Sequence, residues 1–291
     1  MFSTPEQYRV FQIPKKSGGT RQIEAPNDEL KAFQRRVLEN MKQDFYISPH
    51  VHSFRSRHNV VTGAGGHVGA TYVLHIDASN FFPSITWGNF IANVRYGHHR
   101  KVQVHDLAKC FCRFPGDNDP RLPQGAPTSP WLSNIYLSRF DDMMARYLAF
   151  LSTAVEDGRP TDVSPYNYSR YADDITISGP SKERLWAIFF RMKEKLERHY
   201  KLVINTKKTR MMGPGQRKIV CGIVVNEKAQ PKRRWRKNLR AEIHNQLVAG
   251  QPLRPSTLGK IAYLEMCRNT MYSSSSEKIY RKLNADVVDL I

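Results

Sequence analysis

Two adjacent aspartates lie between two runs of strand-forming residues, and this arrangement constrains the fold more than any other feature of the sequence. The stretch, residues 169–178, is "SRYADDITIS". Aromatic and β-branched residues on both sides predict two strands joined at Asp173 and Asp174. An ordinary turn is one interpretation, because Asp is common in turns. Adjacent ionised carboxylates repel each other, however, and burial adds to the cost, so the pair requires a nearby cation, a proton or a divalent metal ion.

A third aspartate, Asp77, ends the strand-like run "TYVLHID" at residues 71–77. Carboxylate oxygens are the natural protein ligands of Mg²⁺. Aspartates from two neighbouring strands can hold two metal ions about 3.5–4 Å apart, a spacing that suits phosphoryl transfer. The sequence therefore predicts a metal site formed by Asp77, Asp173 and Asp174.

The chain as a whole is strongly basic. Its 291 residues include 45 Lys and Arg against 26 Asp and Glu, which gives a formal net charge of +19. This excess favours a polyanionic partner, with nucleic acid first and a membrane surface second. Seven basic residues and no acid lie in residues 228–240. That run indicates a nucleic-acid contact, with a solvated helix face as the alternative.

Other bulk features exclude several protein classes. The apolar stretches are too short to cross a membrane, and the first residues lack the pattern of a secretory signal. The four cysteines form neither a zinc-type quartet nor a dense disulfide framework. We therefore expect a cytoplasmic protein without membrane association.

Hydrophobic periodicity predicts strands and a helix first, followed by a centre in which helices and strands are mixed. The residues after 226 form a basic helical tail, so we expect a domain boundary near residue 227. The predicted helices begin near residue 27 and cover 130–151, 181–200, 256–271 and 277–290. The predicted strands lie on both sides of Gly18-Gly19 and at 71–77, 169–178, 201–205 and 218–226, and residues 60–70 are a predicted glycine-rich connector.

Several blocks, in this order, resemble those of reverse transcriptases. The palm-like blocks are "LHIDASNFFPSI" (74–85), "LPQGAPTSPWLSNIYL" (122–137) and "YADDITISG" (171–179). Further blocks are similar to the fingers, the end of the palm and the start of the thumb: "IPKKSGGTRQIEAPNDELKAFQRRVL" (13–38), "NTKKTRMM" (205–212) with "KIVCGIVVN" (218–226), and "STLGKIAYLEM" (256–266).

The resemblance implies a right-hand polymerase fold of the α+β class. Fingers would cover residues 1–70, and a palm with an antiparallel sheet and helices would cover 71–227. Part of the fingers would lie between the first palm strand and the "PQG" block. A short basic helical thumb would cover residues 228–291.

The resemblance also implies a catalytic centre with two Mg²⁺ ions. Asp77 and Asp173 match the two metal-bridging aspartates of the family, and Asp174 matches a less tightly engaged neighbour. The backbone carbonyl of Ala78 is a further candidate ligand. Lys208 matches the position proposed to protonate the departing pyrophosphate, with Lys207 as the alternative.

Further residues match positions that bind the incoming nucleotide or the nucleic acid. The matching dNTP-binding residues are Lys15, Lys16, Arg21, Phe82 and Gln124. Phe82 would be the steric gate that excludes a ribose 2′-hydroxyl, while Phe81 would pack in the core. The matching primer, template or RNA contacts are Gly222, Lys232, Arg233, Arg234, Trp235, Arg236 and Lys237.

Within the family, the chain resembles the compact bacterial retron type most. The residues after 227 are enough for a thumb and not for an RNase H, endonuclease or maturase extension. Two motifs depart from the retron pattern: "GAGGH" at 63–67 replaces "NAxxH", and "VCG" at 220–222 replaces "VTG".

A retron enzyme is expected to use a structured noncoding RNA as both template and primer. The product would be branched RNA-linked DNA (msDNA), made from dNTPs and primed from a guanosine 2′-hydroxyl. The resemblance also implies a separate effector protein in antiphage defence. The alternatives are a catalytically silent RNA-binding scaffold for such an effector, another class of bacterial reverse transcriptase, and an RNA-synthesising or template-independent polymerase.

Overall fold

A computed structural model describes residues 1–15, 18–94, 102–153 and 166–271. Lys16 and the predicted helix at 277–290 lie outside these ranges. The helices are α1 (Asp28–Asp44), α2 (Val60–Gly65), α3 (Trp87–Asn93), α4 (Val104–Ala108), α5 (Ser129–Thr153), α6 (Lys182–His199), α7 (Arg233–Val248) and α8 (Pro255–Met271). The strands are β1 (Tyr8–Pro14), β2 (Thr20–Pro26), β3 (Tyr72–Asp77), β4 (Asn167–Tyr171), β5 (Asp174–Gly179), β6 (Arg210–Met212), β7 (Ile219–Val220), β8 (Ile223–Val224) and β9 (Gln230–Pro231). The mixture of helices and antiparallel sheets confirms the predicted α+β class.

The central sheet consists of four antiparallel strands in the order β4-β5-β3-β6. The predicted hairpin around the two aspartates is present as β4 and β5, with Tyr171 paired to Asp174. Ala172 has φ +56° in the connecting turn, a conformation that costs energy for a residue with a side chain. The hairpin is therefore tight and directs the aspartates to one end of the sheet.

Helices α5 and α6 cover one face of the central sheet. Leu74 and Ile76 of β3, with Ile175 and Ile177 of β5, belong to the same buried core cluster as these helices. Full burial of one such side chain contributes about 1.5–3 kcal/mol. Because side chains alternate along a strand, Asp77 lies on the face opposite to Ile76. The helical layer therefore leaves the carboxylates on the other face.

Helices α1 and α6 begin where the sequence predicts. Asn27 caps α1, since its side chain accepts a hydrogen bond from Leu30 N at 2.9 Å. Ser181 caps α6 in the same way, with Arg184 N as the donor at 3.2 Å. The buried stripe of α6 repeats every three or four residues, as an amphipathic helix requires. Its members are Leu185, Ile188, Phe189, Met192 and Leu196.

The N-terminal hairpin, β1 with β2, pairs Tyr8 with Pro26 at its base and Pro14 with Thr20 near its tip. Its base is buried, because Tyr8 packs with Leu30, Cys112 and Phe114 in a small separate cluster. The tip is exposed. The hairpin therefore projects from a fixed base.

Two segments differ from the strands predicted for them. Residues 201–205 form an isolated bridge, Ala78 with Ile204, in place of a regular strand. Their backbone follows the end of β3, where Asn205 N donates to Asp77 O at 2.8 Å. Residues 218–226 form a hairpin rather than one strand, because Cys221 at φ +48° and Gly222 at φ +85° reverse the chain.

The predicted connector at 60–70 also contains regular structure. It begins with the short helix α2, which Asn59 caps by accepting hydrogen bonds from Val61 N and Thr62 N. His67 follows and is fully buried against the central sheet. Its ring nitrogens lie 2.7 Å from Ser178 Oγ and 2.8 Å from Ser169 Oγ. This contact attaches the connector to β4 and β5.

The C-terminal helices α7 and α8 pack against each other, and α8 also contacts α2. Within the described ranges, none of the helices combines the length and apolar character that a membrane span requires. The domain boundaries at 70/71 and 227/228 stay predictions.

Candidate active site

The three predicted carboxylates meet at one end of the central sheet. The antiparallel register of β3 and β5 places Asp77 directly opposite Asp174. Asp173 precedes Asp174 in the turn, and its carbonyl oxygen accepts a hydrogen bond from Ala78 N at 3.3 Å. Segments about 100 residues apart in the sequence are thereby joined by backbone pairing. We call Asp77, Asp173 and Asp174 the carboxylate cluster.

Burial, together with mutual repulsion, raises the pKa of two members of the cluster. Burial first, and then the charges of Asp173 and Asp77, raise the pKa of Asp174 to about 7, and Lys208 opposes this shift. The pKa of Asp173 is also raised, by burial and by Asp77, against the charges of Arg21 and Lys208. The site therefore has more negative charge than its neighbours compensate, and it would gain from a bound cation.

Among the described residues, the cation that contacts Asp77 is Lys208. Its Nζ lies 3.1 Å from both Oδ1 and Oδ2 of Asp77. The Lys208 backbone is held by Asn205, whose carbonyl accepts from Lys208 N at 3.1 Å. The side chain is still 58% exposed, so it can leave Asp77 when another cation binds. Lys207 and Lys208 are both exposed, and of these two alternatives from the sequence Lys208 is the one that contacts Asp77.

The donor chemistry of the cluster fits a divalent cation. Carboxylate and carbonyl oxygens are hard ligands that suit Mg²⁺. In the present arrangement, the described part of the chain contains no group of three or more His, Cys, Asp or Glu side chains placed to hold a metal ion. The Lys208 ammonium instead contacts both carboxylate oxygens of Asp77. After Lys208 moves, Asp77, Asp173 and Asp174, with the Ala78 carbonyl, would be the groups that hold a divalent ion.

A buried polar network supports the turn that carries the cluster. Ala172 N donates to Ser53 Oγ at 2.9 Å, and Ala172 O accepts from Arg170 Nη1 at 3.1 Å. Arg170 also contacts Asn134 Oδ1 and forms an ion pair with Asp141 at 2.7 Å, in which both side chains have no exposed surface. The backbone of Ala172 is therefore fixed at both its N–H and its C=O.

None of the four side chains of this network is among the predicted site residues. A signal was present for two of its members. Arg170 lies two residues after Tyr168, so both side chains fall on the same, inward face of β4. Asp141 comes directly after Phe140 and is buried with it on α5. Charged residues at two inward positions indicate a buried pair. Nothing in the sequence signals Ser53 or Asn134.

The predicted nucleotide-binding residues differ in their position and in how far they are exposed. Arg21 lies in the exposed outer part of the N-terminal hairpin, and its charge lowers the pKa of Asp173, so it lies within electrostatic range of the cluster. Lys15 is exposed on the same hairpin. Phe81 is buried, whereas Phe82 is only partly buried and lies 5.3 Å from the Phe81 ring. Gln124 is half-buried in the loop before α5.

The predicted primer contact, Gly222, forms the turn between β7 and β8. The neighbouring thiol of Cys221 has its pKa raised to about 12, by burial first and also by the charges of Asp174 and Asp173. This electrostatic influence places the turn near the carboxylate cluster. A Cβ added at Gly222 would meet no atom within 4 Å, so this exposed glycine leaves the backbone accessible.

The predicted RNA contacts begin at the N-terminal end of α7. Lys232, Arg233, Arg234 and Lys237 are exposed, and Arg236 is half-buried. Trp235 packs edge-to-face on Tyr263 of α8, with ring centroids 5.3 Å apart. Packing between the helices therefore uses part of the Trp235 ring, and its role as a stacking surface for RNA stays a prediction.

Comparison with known protein families identifies the class of this chain. Residues 13–233 match the family described as reverse transcriptase (RNA-dependent DNA polymerase). The match covers more than half of the chain, which therefore belongs to the reverse transcriptase family. Membership confirms the right-hand polymerase fold predicted from the sequence blocks.

Several relatives of the chain are named as retron reverse transcriptases, which confirms the retron resemblance. The chain is 34% identical to the retron Mx65 reverse transcriptase of Myxococcus xanthus, covering 89% of this chain and 61% of that protein. It is 32% identical to the retron Ec86 reverse transcriptase of Escherichia coli, covering 84% and 72%. For the retron Mx162 reverse transcriptase of Myxococcus xanthus the identity is 31%, over 83% and 53%. The chain thus spans between about half and three quarters of the length of these relatives.

Proposed function

We propose that this chain is an RNA-directed DNA polymerase that extends a primer by divalent-metal-assisted phosphoryl transfer. The observation that carries the proposal is the register of β3 and β5, which brings Asp77 opposite Asp174 and next to Asp173. Family membership supports the same activity. Two Mg²⁺ ions, when bound, would acidify the primer hydroxyl and stabilise the charge of the departing pyrophosphate.

The residues around the cluster have separate tasks in this proposal. Lys208, released from Asp77, would hold a proton near the departing pyrophosphate and donate it as a general acid. Arg21 and Lys15 would neutralise the triphosphate from the N-terminal hairpin. Phe82 would fill the space that a 2′-hydroxyl needs, and Gln124 would orient the nucleotide against the template.

Nucleic-acid binding would use the basic surface of α7. Lys and Arg side chains there would neutralise phosphates and release counterions, which makes binding dependent on salt. We propose a structured noncoding RNA as template and primer and msDNA as the product, on the basis of the retron relatives. The effector protein, the antiphage role and the cytoplasmic location stay predictions from the resemblance.

DNA synthesis on a structured RNA template tests the proposal. Purified protein, RNA, dNTPs and Mg²⁺ should give RNA-templated DNA. Asp173→Asn should lower the rate on the order of 100-fold or more, since metal stabilisation of transition-state charge is worth several kcal/mol. Asp142→Asn is the matched control, because Asp142 lies on α5 and its side chain accepts a hydrogen bond from Tyr46 at 3.2 Å. That variant should retain wild-type synthesis.

Two outcomes would contradict the proposal. Unchanged synthesis by Asp173→Asn would remove the carboxylate cluster from the mechanism. Specific RNA binding without any DNA synthesis by the wild-type protein would favour the scaffold alternative.

A further inference from the structure

Glu24 is a buried carboxylate between the N-terminal hairpin and the loop that carries Gln124. It lies on β2 and is 2% exposed. Its oxygens accept from Arg121 Nη2 at 2.8 Å and Nη1 at 3.1 Å, from Gln124 N at 2.8 Å, and from Gln22 Nε2 at 3.0 Å. A buried carboxylate with this many donors is fixed in one orientation.

The Arg121 guanidinium is held equally firmly. Its Nε contacts Asp117 Oδ2 at 2.7 Å, and its plane lies over the Phe114 ring at 4.6 Å. The Arg121 backbone exchanges two hydrogen bonds with Cys112, at 2.9 and 3.0 Å. All three guanidinium nitrogens are therefore engaged, and Nη1 and Nη2 both donate to the Glu24 carboxylate.

The backbone of the loop also contacts β2 directly. Glu24 N donates to Gln124 O at 2.9 Å, so Glu24 and Gln124 are joined through both backbone and side chain. Gly125 has φ +140°, and a Cβ added there would lie 2.9 Å from Glu24 O. Only glycine allows this approach without displacing the loop.

We propose that Glu24 and Arg121 form a positioning pair that fixes the N-terminal hairpin against the Gln124 loop before a nucleotide binds. The inference rests on the proposed function, in which Arg21 grips the triphosphate and Gln124 orients the nucleotide. Arg21 precedes Glu24 by three residues on the same strand, or about 10 Å. The pair thus sets the distance between two sides of the nucleotide pocket, and this preorganisation reduces the cost of binding.

Glu24→Gln tests the pair with little change of shape. The side-chain amide that replaces the carboxylate has only one acceptor oxygen. Its NH₂ group would face either Arg121 or Gln124 N, and since both are donors no hydrogen bond can form there. The variant therefore loses a charge-assisted hydrogen bond between the hairpin and the loop. We therefore expect the KM for dNTP to rise about tenfold or more on an RNA template, with kcat within about threefold of wild type. Arg121→Lys keeps the charge without the fork, and its KM should be intermediate.

Glu39→Gln is the matched control, since Glu39 is an exposed residue of α1 whose side chain contacts Lys42. It should leave both constants unchanged. A second measurement is independent of turnover. Amide hydrogen exchange at Gln124 should be faster in Glu24→Gln than in the wild-type protein, because this amide donates to the Glu24 carboxylate.

The possible outcomes separate the two proposals. A wild-type KM in an active Glu24→Gln enzyme, or unchanged exchange at Gln124, would overturn the positioning role. A lower kcat and a lower melting temperature without a change in KM would also overturn it, because a purely structural role predicts that pattern. Failure of the proposed function would appear instead as absence of DNA synthesis by the wild-type protein.

Discussion

Removing one member of the Arg170–Asp141 pair should destabilise the protein strongly. Both side chains have no exposed surface. Arg170 donates to Asp141 from Nε at 2.8 Å and Nη2 at 2.7 Å, and Tyr168 OH donates to the same carboxylate at 2.6 Å. Asp141→Asn leaves the guanidinium buried without a compensating charge. Breaking a buried pair in this way costs about 3–5 kcal/mol.

Guanidinium chloride unfolding, followed by circular dichroism, measures this loss. Asp141→Asn should lower the midpoint with little change in the slope of the transition. The double variant Asp141→Leu with Arg170→Met should lose less stability than the sum of the losses in Asp141→Leu alone and Arg170→Met alone. The double variant leaves no buried charge without a partner. A loss below about 1 kcal/mol for Asp141→Asn, or additive losses in the double variant, would refute the account of the network.

Two further predictions concern the gate and the connector. Phe82→Ala should increase rNTP incorporation relative to dNTP incorporation on the order of tenfold or more in primer extension, because the ring no longer fills the 2′ position. Phe81→Leu, in the core, should leave this ratio unchanged. A wild-type protein that already uses rNTPs as well as dNTPs would contradict the gate. Burial, with a smaller effect of His52, lowers the pKa of His67 to about 3. This value lies below the unfolded value of about 6.5, so the unfolded state binds the proton more tightly between these two pH values. The contribution of neutral His67 to the free energy of unfolding is therefore present above about pH 6.5 and is lost toward pH 3, and the loss at pH 5 is about 2 kcal/mol. Chemical unfolding of wild type and His67→Gln at pH 8 and pH 5 measures this difference, and parallel pH profiles for the two proteins would contradict it.

Local sequence patterns predicted the elements that build the carboxylate cluster. The hairpin at 169–178 follows from its strand-forming residues around a turn, and α6 follows from its apolar period. Asp77 was placed beside the hairpin only as the end of a strand. The pairing of β3 with β5 is a long-range contact that no local pattern specifies.

Apart from the meeting of the three aspartates, contacts between distant segments could not be predicted. Glu24 and Arg121 are 97 residues apart, and each alone resembles an ordinary surface charge in the sequence. The split of residues 218–226 into a hairpin was missed because Cys221 adopts φ +48°, which its residue type does not signal. Residues 201–205 have strand-like composition, yet they form only an isolated bridge beside the end of β3.

Divalent-cation binding by the carboxylate cluster is the most direct test of the central claim. Mn²⁺, a paramagnetic substitute for Mg²⁺, can be titrated into the protein with dNTP while the free ion is measured by electron paramagnetic resonance. The wild-type protein should bind Mn²⁺ more tightly than Asp77→Asn, by about tenfold or more, because the variant lacks one anionic ligand, and Asp142→Asn should equal wild type. Equal Mn²⁺ affinity in the wild-type protein and in Asp77→Asn would contradict the assignment of the cluster as the catalytic metal site.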